Sequence, residues 1–223
     1  MTTVAIVGNG PAILTPDLTI FKDIDIWIGA DRGAFLLIEN QYTPDIAIGD
    51  FDSLNKDECA QVKQYSRTFI PYPIEKDWTD LELALGKAYE YAPEKIYLFN
   101  VTGGRLDHSL INIQTLYSIM ERKIQGFIVE NNNLLTMVKP GKHAVVKDDT
   151  YPFLSFVPFT KDVKGLTLQG FEYPLADQTI TWGSTRCISN KLLLKNGTFS
   201  FKEGILLLIK SRDATKETIP KNS

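Results

Sequence analysis

Ile96-Tyr97-Leu98-Phe99-Asn100-Val101-Thr102-Gly103-Gly104-Arg105-Leu106-Asp107-His108 passes from a nearly continuous apolar run, through a glycine turn, into a pattern of helical period. A strand buried on both faces reads this way. The helix is expected to begin near Asp107, with Leu106, Leu110, Ile113, Tyr117 and Met120 on one stripe. Upstream the alternation repeats. Strands are expected at residues 4–7, 24–28, 46–48, 68–72 and 96–101, and downstream at 127–130. The clearest helix starts at Thr79, where Glu82 three residues on completes a capping box. Leu81, Ala84, Leu85, Ala88 and Ala92 follow at helical spacing. Alternating strands and helices imply an α/β domain with a mostly parallel sheet.

After Lys139-Pro140-Gly141 the texture changes to short strands between turn residues, near 144–147, 154–157, 179–181, 192–194 and 205–209. Asn196-Gly197 between two apolar runs is a hairpin signal. The expected organisation is an α/β domain over 1–138 and an all-β sandwich over 139–223.

Composition removes several function classes. Of 223 residues, 43% are hydrophobic and 23% charged, as in an ordinary globular protein. The net charge of −3 argues against broad binding to nucleic acid or membrane surfaces. No apolar run reaches membrane-spanning length, and the N-terminus has no secretory pattern, so a cytoplasmic protein is expected. Cys59, Cys187, His108 and His143 are not at zinc spacing.

The acidic residues carry the functional signal. In a parallel sheet, ligands bind beyond the carboxyl ends of the strands. Asp31 follows the second strand, Asp50 and Asp52 the third, Asp77 and Asp80 the fourth, and Asp107 the fifth. Carboxylates crowded on one rim repel one another unless a cation lies among them. Hard oxygen donors suit Mg²⁺, which completes its shell with water and phosphate oxygens. Any single Asp at such a place also serves as an ordinary turn or cap residue. Gly103 and Gly104 let backbone approach an anion, and Arg105, Arg32 and Lys76 are phosphate candidates. His108 reads either as a phosphate or acid group or as a helix-start residue. Together these point to Mg²⁺ and a nucleoside polyphosphate.

Six blocks in this order resemble the bacterial thiamine pyrophosphokinase family. They are Gly29-Ala30-Asp31-Arg32-Gly33-Ala34, Gly49-Asp50-Phe51-Asp52-Ser53, Lys76-Asp77-Trp78-Thr79-Asp80-Leu81-Glu82, Gly103-Gly104-Arg105-Leu106-Asp107-His108, Gly170-Phe171-Glu172-Tyr173-Pro174-Leu175, and Gly183-Ser184-Thr185-Arg186-Cys187-Ile188-Ser189-Asn190. The family pattern is permissive at Trp78. The resemblance implies transfer of the pyrophosphoryl group of ATP to the hydroxyl of thiamine, giving thiamine diphosphate and AMP. It implies an ATP- and Mg²⁺-binding catalytic α/β domain and a β-sandwich for thiamine binding and dimerisation. It also implies a cytoplasmic homodimer whose thiamine site is shared between subunits. On this reading Asp50, Asp52 and Asp80 bind Mg²⁺ and serve catalysis, with Asp52 or Asp80 taking the hydroxyl proton. Asp31, Arg32, Gly103, Gly104, Arg105, Asp107 and His108 attend the nucleotide. Lys76, Asp80, Trp182, Ser189 and Asn190 attend thiamine. Trp182 reads equally as a strand residue packed inward. The competing expectations are another Mg²⁺-dependent nucleotide transferase or phosphohydrolase, and a non-enzymatic nucleotide or thiamine sensor.

Overall fold

The structure, a computed structural model, describes residues 1–75 and 77–214. It divides into two compact units, the first ending at Asn131 and the second beginning at Asn132.

The first unit is built on six parallel strands. They are β1 (Thr3–Val7), β2 (Ile26–Ala30), β3 (Ile46–Gly49), β4 (Thr68–Pro71), β5 (Lys95–Phe99) and β6 (Gln125–Val129). Their order is β4-β3-β2-β1-β5-β6, and every neighbouring pair is parallel. Every residue of β1 and β3 is buried, which is why these segments read as unbroken apolar runs. Four helices connect the strands: α1 (Arg32–Glu39), α2 (Lys56–Tyr65), α3 (Asp80–Glu90) and α4 (Leu106–Glu121). From β1 the chain steps outward to β4, then returns to the other side of β1 as β5. That reversal opens a crevice at the carboxyl ends of β1 and β5.

The helix at Thr79 forms as its pattern requires. The Thr79 hydroxyl accepts from the Glu82 amide, the Glu82 carboxylate accepts from the Thr79 amide, and Leu81, Ala84, Leu85 and Ala88 are buried. For α4 the expected stripe is rotated. Leu106, Leu110 and Tyr117 are exposed, whereas Leu116, Ile119 and Met120 are buried. Apolar residues occur all round this helix, so periodicity alone does not choose its buried side. Gly126 on β6 does: a Cβ there would lie 3.0 Å from Ile119 and 3.1 Å from Leu116.

The second unit is antiparallel. Its strands are β7 (Asn133–Val138), β8 (Gly141–Val146), β9 (Phe153–Pro158), β10 (Asp162–Gln169), β11 (Leu175–Thr181), β12 (Asn196–Phe201) and β13 (Leu206–Ser211). β13 pairs with β7 and β9, while β11-β10-β12-β8 form a separate sheet. Phe156, Leu206 and Leu208 from the first group meet Val145, Val163, Leu166, Phe199 and Phe201 from the second in one core. The α/β plus β-sandwich expectation is therefore met.

The Asn196-Gly197 hairpin is not. Both residues lie inside β12, and neither has the positive φ that a two-residue turn of this kind demands. Leu192–Leu194 forms no strand among the described residues; Leu192 makes only an isolated bridge to Phe171. The glycine serves packing instead, because a Cβ at position 197 would sit 2.3 Å from Leu192 Cδ2. Among the described residues, no helix is long and apolar enough to cross a membrane.

Candidate active site

The carboxyl ends of the first unit's strands carry a cleft of about 570 Å³. It is lined by Gly8, Asn9 and Gly10 after β1, Asp31 after β2, Asp50 and Asp52 after β3, and Asn100 after β5. Ile74, Trp78, Thr79 and Asp80 enter from the β4–α3 connection, and Gly104, Arg105, His108, Ser109 and Asn112 from around the start of α4.

Close packing brings these segments together. A Cβ on Gly33 would lie 1.9 Å from the Val7 carbonyl oxygen, so only glycine lets α1 approach β1 this closely. A Cβ on Gly10 would lie 2.6 Å from the Asn100 carbonyl oxygen, which accepts the Gly10 amide. Three non-glycine residues at strand ends have positive φ: Asp31 (51°), Phe51 (58°) and Asn100 (54°). Such backbone costs on the order of 1–3 kcal/mol per residue and persists where surrounding contacts enforce it. At Phe51 the enforcing contacts are visible. Its ring is buried, stacks 4.7 Å from Phe69, and joins Ala34, Ala47 and Val62 in one cluster. The loop bearing Asp50 and Asp52 is thus fixed by the residue between them.

Asp31, Asp50 and Asp52 each offer one carboxylate oxygen within 4.8 Å of the others'. Asp31 is 5% exposed. Its Oδ2 accepts from Ser53 Oγ (2.8 Å) and Asn9 Nδ2 (3.1 Å), while its Oδ1 is buried and has no hydrogen-bond partner among the described residues. Burial raises the Asp31 pKa above the ordinary carboxylate value; the hydrogen bonds from Ser53 and from the Arg32 backbone amide oppose this, and the charges of Asp80 and Asp50 add to it. A bare buried oxygen beside two more carboxylates is an oxygen-donor set suited to a divalent cation. Asp80 lies in the same cleft, outside that mutually close trio.

The other expected residues fall in several places. Arg105 reaches Asp107 through Nε (3.2 Å) and Nη2 (2.5 Å), and these two bonds with the His108 amide pull the Asp107 pKa down to about 2. Gly104 has open space where a side chain would stand, so its backbone is accessible. Gly103 adjoins it with φ +83°. Arg32 donates to both Glu58 oxygens and to the Ser53 carbonyl, which fastens the acidic loop to the capped start of α2. Lys76 lies outside the described residues. Asn9, Asn100, Asn112 and Trp78 line the cleft without having been singled out as site residues. The cue was available for Asn9 and Asn100, which follow the strands on either side of the reversal.

In the second unit, Trp182 is not packed inward; it is 71% exposed just after β11. Ser189 is exposed with φ 55°, and its amide donates to Ser155 Oγ. Asn190 is 1% exposed. Its Oδ1 accepts the amides of Tyr173 (3.0 Å) and Lys191 (2.9 Å), and its Nδ2 donates to the Tyr173 carbonyl (2.8 Å).

Comparison with known proteins gives one consistent family. The thiamin pyrophosphokinase catalytic domain matches residues 18–128, and the thiamin pyrophosphokinase vitamin B1 binding domain matches residues 142–206. Thiamine pyrophosphokinase of Bacillus subtilis is 44% identical over 96% of this chain and 100% of its own. The crystal structure of the Bacillus subtilis enzyme superposes with a TM-score of 0.90 at 42% identity, covering 96% of this chain and 100% of that one. That of Geobacillus thermodenitrificans thiamin pyrophosphokinase gives 0.86 at 42% identity, covering 96% and 99%.

Proposed function

The chain belongs to the thiamine pyrophosphokinase family, and we propose that the carboxylate rim of its first unit carries out that family's reaction. The observation that supports this most is the convergence of Asp31, Asp50 and Asp52 around the buried, unpartnered Asp31 oxygen.

On this reading the three carboxylates hold Mg²⁺ together with the triphosphate of ATP, and Asp80 stands beside them. The bound ion would neutralise phosphate charge and orient the triphosphate. The chain's own groups do the rest. Arg105, the open Gly104 backbone and the start of α4 receive phosphate oxygens. Asn9 and Ser53 hold Asp31 in place, and Arg32 with Glu58 holds the loop of Asp50 and Asp52. The thiamine hydroxyl oxygen attacks the β-phosphorus. The bond from that phosphorus to the α–β bridging oxygen breaks, and AMP leaves with that oxygen. The hydroxyl proton passes to a carboxylate oxygen of Asp80 or Asp52. Positioning and charge neutralisation supply most of the acceleration in such a transfer.

The first unit is thus the ATP- and Mg²⁺-binding catalytic domain, and the second the thiamine-binding and dimerisation domain. The working form is a cytoplasmic homodimer. Thiamine lies between the rim of one copy and the Trp182–Asn190 segment of the other, with Ser189 as hydrogen-bonding group and Asn190 as the brace that shapes the segment.

The test is product analysis with ATP, Mg²⁺ and thiamine, omitting each in turn. AMP and thiamine diphosphate should form in equal amounts and only when all three are present. ADP, free phosphate or nucleotide binding without turnover would overturn the reading. Mixing an Asp52→Asn protein with a Ser189→Tyr protein, each inactive, should restore activity after subunit exchange; no recovery would overturn the shared site.

A further inference from the structure

Trp78 and Ile74 give the acidic cleft an apolar wall that the carboxylate chemistry does not use. Trp78 is 59% exposed and Ile74 67%, yet both line the same cleft as Asp31, Asp50, Asp52 and Asp80. Trp78 stands immediately before Thr79, the capping residue of α3. An apolar side chain at that position commonly packs down on the helix residue five positions ahead, here Leu83. Here the indole remains largely in solvent, on a backbone fixed by the Thr79–Glu82 capping box. A large aromatic held open beside several carboxylates is suited to a flat, positively charged ring. The indole face attracts a cation, and the carboxylates attract the same charge.

We propose that Trp78 stacks on the cationic ring system of thiamine, an affinity-giving contact particular to this chain at a position where the family pattern is permissive. The proposal rests on the thiamine pyrophosphokinase reading. Between the two substrates, charge selects thiamine: its thiazolium is a permanent cation, whereas adenine is neutral and gains nothing from neighbouring carboxylates. On the proposed reading the phosphates of the nucleotide fall to Gly104 and Arg105, which line the same cleft. Ile74 contributes apolar area to the same cleft and no charge.

Steady-state AMP formation by Trp78→Ala, Trp78→Leu and Trp78→Phe tests this. In Trp78→Ala the thiamine KM should rise about tenfold, the loss expected for one partly desolvated cation–π contact. Phe should restore most of the affinity and Leu little, because only the former keeps an aromatic face. The ATP KM should stay within about twofold throughout, a bound well below one such contact. The exposed side chain should leave the melting temperature unchanged. An unchanged thiamine KM in Trp78→Ala, a rise confined to ATP, or equal rescue by Leu and Phe would overturn the proposal. The family reading would survive each of these results; it fails separately if the unmodified protein forms no AMP from ATP and thiamine.

Discussion

At the rim of the first unit, Asp31 keeps a buried oxygen without a hydrogen-bond partner among the described residues, and its backbone sits at φ 51° and ψ −125°. In the second unit, Asn190 is equally buried, but its amide is bonded at both ends to the backbone of Tyr173 and Lys191. Both residues stand in blocks that mark the family. One presents unmet bonding capacity to a cleft; the other closes a loop. Buried polar groups are costly unless paired. An unpaired one held in strained backbone therefore points to a ligand-binding role, and a paired one points to framework. Presence in a motif does not separate the two cases, while hydrogen-bond satisfaction does.

The sharpest way to break this contrast is Asp52→Asn. It should reduce kcat/KM by about a thousandfold, since several kcal/mol of charge stabilisation is lost at 1.36 kcal/mol per decade. Its melting temperature should hold, because Asp52 is exposed. Near-normal turnover would remove Asp52 from the metal site. Asn190→Ala should do the reverse. Leaving buried backbone groups unpaired costs about 1–3 kcal/mol, a drop of several degrees on thermal melting. Ser189→Ala should melt normally and raise the thiamine KM. A normally melting Asn190→Ala protein that has lost thiamine affinity would erase the distinction between ligand and brace.

A smaller effect is expected at Asp31. Without divalent cation, Asp31→Asn should raise the melting temperature by relieving like-charge crowding, and added Mg²⁺ should then stabilise it less than the unmodified chain. Equal Mg²⁺ stabilisation of both would contradict the assignment.

The smallest effect concerns Arg105. It holds the Asp107 pKa near 2, below the ordinary 3.8, so the pairing is in place above pH 3.8 and is lost as pH falls through about 2. In Arg105→Gln, NMR titration should return Asp107 towards the ordinary value. The ATP KM should rise severalfold, as for loss of one exposed charged contact to phosphate. A still-depressed Asp107 would show that the arginine is not the cause.

Much of this was legible in the sequence because its determinants are local. The buried strands of the first unit are continuous apolar runs, and the capping box at Thr79 needs only four residues. The rim aspartates were found because each follows a strand. What escaped reading depends on distant partners. Leu116 and Ile119 face inward because Gly126, on another element, leaves room for them. Gly197 lies flat in a strand because Leu192 rests on it, although Asn-Gly locally favours a turn. Asn190 became a brace only when Tyr173 folded against it, and Arg32 turned to Glu58 across α2. The grouping of Asp31 with Asp50 and Asp52 likewise depends on how β2 and β3 end side by side.

Calorimetric titration of the chain with a non-hydrolysable ATP analogue, with and without Mg²⁺, tests the assembly at the rim most directly. Binding should require Mg²⁺ in the unmodified protein and should weaken strongly in Asp52→Asn. Equal affinity with and without the cation, undiminished by Asp52→Asn, would contradict a metal–nucleotide site among these carboxylates.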